Sequence, residues 1–115
     1  MKSLPTYRIT SSKLADDHLS MTVAAEGPDR ALALHREIMV DTYGYDLDGV
    51  DLQCSEAPGC QTVGKRWRGP FGEGTYLCLA MDLNGFWMHH EGFPSQCRNV
   101  SDRALGRTFH RIFER

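Results

Sequence analysis

The 115-residue chain lacks the features of membrane, secreted and low-complexity proteins. No apolar run approaches the ~20 residues needed to span a bilayer, and the N-terminus holds no apolar core of a signal peptide. Biased repeats are absent, and apolar residues make up 41% of the chain, which is enough for a folded core. We therefore expect a cytoplasmic protein with no membrane association, folded as a single domain over residues 1–115.

Motifs for catalysis and phosphate binding are also missing. The chain contains neither G-x-x-x-x-G-K-[ST] nor G-x-G-x-x-G, and it lacks the G-x-S-x-G turn of serine hydrolases. The zinc motif H-E-x-x-H is absent, and His89 and His90 would face opposite sides of a strand. We predict no catalytic residue, no metal and no cofactor. A non-enzymatic protein is therefore the leading class.

The four cysteines are scattered, at Cys54, Cys60, Cys78 and Cys97. Structural zinc sites usually take ligands in close pairs, and proteins without a secretory signal usually keep their thiols reduced. We therefore predict four reduced cysteines without metal. One alternative stays open, a small thiol- or metal-dependent hydrolase in which Cys78 and His89 react and Asp82 orients the imidazole.

Alternation of apolar and polar residues predicts an N-terminal β-hairpin with strands over 7–10 and 19–24. A helix over 28–43 follows, because Gly27-Pro28-Asp29 suits a helix start and Gly44 suits the left-handed residue at its end.

Two further hairpins are predicted after this helix. In the first, a strand over 50–55 pairs with a strand over 60–68, with Cys54 opposite Gln61. In the second, Asn84-Gly85 forms a two-residue type I′ turn, a geometry that valine at position 85 would resist.

The register of the second hairpin follows from its turn. Leu83 is expected opposite Phe86 and Met81 opposite Met88, so that these four side chains and Leu79 face the core.

Ser101 is expected to cap a final helix whose apolar face includes Leu105, Phe109 and Phe113. The predicted fold is α+β in the order ββα-ββββ-α, an antiparallel sheet of five or six strands with both helices on one face.

Charge is distributed unevenly along the chain. Residues 1–60 carry a net charge of −5 and residues 61–115 a net charge of +3, within an overall charge of −2. Ten arginines stand against three lysines, and guanidinium groups bind carboxylates and phosphates through two parallel hydrogen bonds. Such a separation of charge concerns binding partners rather than the fold.

Arginines recur every fourth residue in the predicted final helix, which places them on one helix face. A second basic segment, Lys65–Arg68, includes an aromatic side chain. An ordinary solvated helix face remains the alternative interpretation. The predicted partner-binding residues are Arg66, Trp67, Arg68, Arg103, Arg107, Arg111 and Arg115.

The leading hypothesis is a small non-enzymatic protein that occludes or bridges a macromolecular partner, as accessory inhibitors of phages and plasmids do. The expected partner is a protein or ribonucleoprotein with an acidic or phosphate-rich surface. The second hypothesis is direct nucleic-acid binding through the arginine-rich helix, and the third is the hydrolase described above. The sequence leaves the oligomeric state open.

Overall fold

The computed structural model describes residues 4–11, 18–72, 74–92 and 97–113. Within them the chain forms eight strands and two α-helices. In chain order these are β1 (Thr6–Ser11), β2 (Met21–Ala24), α1 (Pro28–Arg36), β3 (Leu52–Glu56), β4 (Arg66–Arg68), β5 (Thr75–Asp82), β6 (Gly85–His90), β7 (Cys97–Val100), α2 (Asp102–Thr108) and β8 (His110–Arg111).

The strands form one antiparallel sheet with the order β3-β1-β2-β5-β4-β8, and β6 and β7 extend it from β5. Strand β6 pairs along one side of β5, whereas β2 and β4 share the other side at its two ends. The α+β class and the antiparallel sheet are therefore confirmed. The sheet has more strands than expected because β7 and β8 are too short to show alternation in the sequence.

The first predicted hairpin and the first predicted helix are both present. Strands β1 and β2 pair with Ile9 opposite Met21. Helix α1 has Pro28 in its first turn, continues as a π-helical segment over Glu37–Thr42, and is followed by Gly44 at φ 77°. Proline suits the first turn because its missing N–H has no helical partner there.

The two helices lie on opposite faces of the sheet, which corrects the prediction of a single shared face. Adjacent residues of a strand point to opposite faces, and Trp87 and Met88 of β6 belong to different buried clusters. Trp87 packs in the cluster that contains Ala31 of α1, and Met88 packs in the cluster that contains Leu105 of α2. An apolar stripe shows that a helix packs on a sheet but does not indicate which face it covers.

The hairpin of β5 and β6 is present, but near the turn its register differs by two residues from the prediction. Met81 lies opposite Phe86 rather than Met88, and the closing pair is Asp82 with Gly85. The predicted core face holds for Met81, Phe86 and Met88, which pack in or against the cluster of the α2 face, whereas Leu83 is exposed.

The side chain of Asp82 explains the new register. Its Oδ1 atom accepts the backbone N–H of Asn84 at 2.8 Å and that of Gly85 at 3.2 Å. The turn then contains Leu83, whose side chain is 70% exposed instead of buried. A bulge at Leu79 shifts the register once more toward the other end of β5.

The hairpin expected between 50–55 and 60–68 does not form. Strand β3 pairs with β1, so Cys54 lies opposite Ile9 instead of Gln61, and only Arg66–Arg68 of the return segment is a strand. Burial explains the difference, because Cys54 packs on the α1 face whereas Val63 is buried on the α2 face. A direct hairpin in the predicted register would have placed Cys54 and Val63 on the same face of the sheet.

The final helix is capped as predicted but ends early. Ser101 Oγ accepts the N–H of Ala104 at 3.2 Å. The helix stops at Thr108 because Phe109 is extended and only 4% exposed, with its ring 5.3 Å from that of Tyr76. The chain then continues as β8 against β4.

Candidate functional site

The arginine-rich elements β4, β7, α2 and β8 meet at one side of the fold. Strand β8 pairs with β4 and follows α2 with one residue between them, and Arg98 of β7 lies 5.5 Å from the ring of that residue, Phe109. These elements carry six arginines and one acidic residue, Asp102. We name the six arginines the basic pole: Arg66, Arg68, Arg98, Arg103, Arg107 and Arg111.

Acidic side chains are concentrated in the segment that runs from α1 to the edge strand β3. Residues 28–56 contain seven acidic residues and two arginines. All seven carboxylates are exposed, at Asp29, Glu37, Asp41, Asp46, Asp48, Asp51 and Glu56. These carboxylates belong to other elements than the basic pole, but the two sets do not lie at opposite ends of the molecule, because Glu56 and Lys65 line the same surface pocket.

The register of β4 and β8 distributes the basic side chains over both faces of the sheet edge. Arg68 lies opposite His110, and Trp67 lies opposite Arg111. Opposed residues of an antiparallel pair share a face, so Arg68 and His110 point to one side and Arg111 to the other. A ligand at this edge has access to guanidinium groups from both faces.

Arg66 is held in an internal ion pair. Its Nε and Nη2 atoms donate to the two carboxylate oxygens of Glu91 at 2.9 and 2.8 Å. Both side chains are more than two-thirds buried, so this two-point contact is screened less than a surface pair. Arg66 therefore ties β4 to the end of β6, and its charge is neutralised.

Two other arginines of the basic pole lie against aromatic rings. The Arg98 guanidinium is 5.4 Å from the centroid of Tyr76, and the Arg111 guanidinium is 4.6 Å from that of Phe113. Guanidinium groups are attracted to ring faces by the ring quadrupole. These contacts orient the two guanidinium groups at this side of the fold.

Trp67, a predicted contact residue, has a packing role. Its Nε1 atom donates to the carbonyl of Thr62 at 3.3 Å, and its ring packs against the buried cluster of the α2 face. The side chain is half-buried. Trp67 therefore supports the edge from which the arginines project.

The predicted stripe of four helical arginines is wrong in part. Arg103 and Arg107 are exposed on α2, but Arg111 belongs to β8, where the chain is extended. Arg115 lies outside the residues that the structure describes. Spacing alone did not reveal the end of the helix, because the burial of Phe109 depends on distant residues.

Cys78, the thiol of the hydrolase hypothesis, is fully buried. Burial raises its pKa to about 12, so the thiol stays protonated near neutral pH and is a poor nucleophile. Its cross-strand partner is Met88. The chain has four free cysteines.

The other two residues of that hypothesis have separate surroundings. Asp82 Oδ2 accepts the hydroxyl of Tyr43 at 2.8 Å and the indole N–H of Trp87 at 2.9 Å. His89 lies opposite Leu77 and Cys97. The structure thus does not assemble the expected arrangement of Cys78, His89 and Asp82.

Among the residues with assigned positions, no group of three or more His, Cys, Asp or Glu side chains is arranged to hold a metal ion. No helix in the same part of the chain is long and apolar enough to cross a membrane.

Two residues of this region escaped sequence analysis. Arg98 stands in a segment without any periodic pattern, and Phe113 was assigned to the buried face of the final helix, although its ring is 78% exposed.

No profile of a protein family matches the chain, and it matches no curated protein and no solved structure.

Proposed function

We propose that this chain is a small, non-enzymatic, cytoplasmic binding protein that occludes or bridges a macromolecular partner through its basic pole. The observation that carries the proposal is the convergence of β4, β7, α2 and β8, which bring together five arginines in addition to Arg66, whose charge Glu91 neutralises. Four free thiols agree with a reducing compartment. The partner presents carboxylates or phosphates, since both bind guanidinium groups.

The exposed members of the pole are available for this contact. Arg68, Arg103 and Arg107 are exposed, and none of them forms an ion pair within the part of the chain that the structure describes. Unneutralised charges of one sign repel each other weakly in water. A partner with anionic groups converts this repulsion into attraction.

The test reverses two of these charges. We expect Arg103→Glu combined with Arg107→Glu to weaken capture of the partner from the native host at least tenfold, about 1.4 kcal/mol. The matched control is Arg30→Glu with Arg36→Glu on α1, which alters the net charge equally but lies in the acidic half. Circular dichroism should remain unchanged, because all four side chains are exposed.

Equal capture by both double variants would show that only net charge matters. Full capture by the Arg103→Glu, Arg107→Glu protein would show that the basic pole is an ordinary solvated surface. Either result contradicts the proposal.

A further inference from the structure

An exposed aromatic ring lies at the basic edge of the sheet. The ring of Phe113 is 78% exposed, and within the part of the chain with assigned positions only Leu83 is another large apolar side chain with comparable exposure. The Arg111 guanidinium lies 4.6 Å from the centroid of this ring. The cation–π contact holds the ring in place at the edge while leaving most of its surface open to solvent.

The charge beside this ring is not neutralised. Arg111 forms no ion pair with any residue whose position the structure describes, and its Nε atom has no hydrogen-bond partner there. The backbone continues the ladder beyond β8, because the N–H of Ile112 donates to the carbonyl of Arg66 at 2.9 Å. Phe113 therefore follows directly on chain that is hydrogen-bonded to β4.

An open ring next to free guanidinium groups matches one class of partner best. Single-stranded nucleic acids bind proteins through bases stacked on aromatic rings and phosphates paired with arginine. An acidic protein surface would use the arginines but has no need of the ring. In a duplex the bases are already stacked on each other, so they are not available to Phe113.

We propose that the partner of the basic pole is a single-stranded nucleic acid, with one base stacked on Phe113 and adjacent phosphates bound by Arg111 and the exposed arginines. This inference rests on the proposed function, because it names the partner of the same surface. The base supplies sequence-tolerant stacking, and the phosphates supply salt-dependent attraction.

The test compares two oligomers with the same phosphates. We use a labelled thymidine oligomer of about 12 nucleotides and an abasic oligomer of equal length, and measure affinity by fluorescence anisotropy at low salt. We expect the thymidine oligomer to bind at least tenfold more tightly than the abasic one. Phe113→Ala should abolish this difference, and Phe113→Trp should retain it. The matched control is Leu83→Ala, which removes the other exposed apolar side chain and should change nothing.

The outcomes separate the two proposals. Equal affinity for both oligomers, with loss of both on Arg103→Glu and Arg107→Glu, would overturn stacking on Phe113 and leave the basic pole intact. Binding to polyglutamate but to neither oligomer would assign the pole to an acidic protein and overturn the inference. Tighter binding of a matched duplex than of the single strand would also contradict it.

Discussion

At the scale of single residues, Gly85 is restricted most tightly. Its φ is 141°, and a Cβ atom at this position would lie 2.4 Å from the carbonyl oxygen of Val100. The sequence suggested glycine at this position because of a type I′ turn. In the structure glycine is required because the backbone of β7 at Val100 occupies the space that a side chain would need.

We expect Gly85→Ala to lower the free energy of unfolding by at least about 2 kcal/mol, because strain and a backbone clash add. Gly44→Ala, also at positive φ but with open space around it, should cost only about 1 kcal/mol. Chemical denaturation measures both. Equal losses for the two variants would show that β7 does not approach Gly85 this closely.

His35 is the second residue that leads to a testable prediction, because its side chain is titratable and fully buried. Its Nε2–H donates to the carbonyl of Leu19 at 2.7 Å, and its Nδ1 atom has no partner among residues of known position. Burial lowers the pKa of this imidazole below 6.5, partly offset by the hydrogen bond to Leu19. The folded protein therefore holds His35 neutral.

We expect the protein to lose stability as the pH falls through 6.5, because the unfolded chain binds the proton before the folded chain does. For this one group the loss is at most about 1.4 kcal/mol per pH unit. Urea denaturation between pH 7.5 and pH 5 measures it, with about half-unit steps. In His35→Gln the decline should be shallower, and an identical slope would assign the pH dependence to other groups.

At the scale of elements, one carboxylate connects the end of the first helical segment to the hairpin. Tyr43 follows the π-helical segment, and its hydroxyl donates to Asp82 at 2.8 Å. Burial is the main cause of the raised pKa of Tyr43, so the hydroxyl remains a donor at neutral pH.

We expect Tyr43→Phe to lower the free energy of unfolding by about 1.5 kcal/mol, as for a hydrogen bond to a charged acceptor. Tyr45→Phe is the matched control, because the structure shows no hydrogen bond of its hydroxyl within the part it describes. Thermal or chemical unfolding measures the loss of unfolding free energy in both variants. A similar loss for the control would mean that the bond to Asp82 contributes nothing.

At the scale of the whole molecule, a net charge of −2 conceals two poles. The carboxylates of residues 28–56 lie on other elements than the arginines of the basic pole, and close contact with an anionic surface is favourable only at the basic pole. Long-range attraction to a polyanion is weak for such a protein, and affinity depends on contacts within about one Debye length. Both proposals rely on this local attraction.

Local patterns in the sequence determined the first hairpin, the first helix, the cap at Ser101 and the presence of a turn near Gly85. Each depends on residues close in the chain, such as alternation or a proline in a first turn. They also indicated the unequal charge of the two halves and five of the six arginines in the basic pole. Arg115, which was also predicted, lies outside the described residues.

Only the tertiary structure decided which strands pair, which face each helix covers and where the final helix ends. The pairing of β3 with β1 and the burial of Phe109 against Tyr76 join residues far apart in the chain. Apolar burial is non-directional, so an apolar pattern shows that a segment is buried without naming its neighbour. For that reason the inclusion of Arg98, the transfer of Arg111 to β8 and the exposure of Phe113 were set by the packed fold.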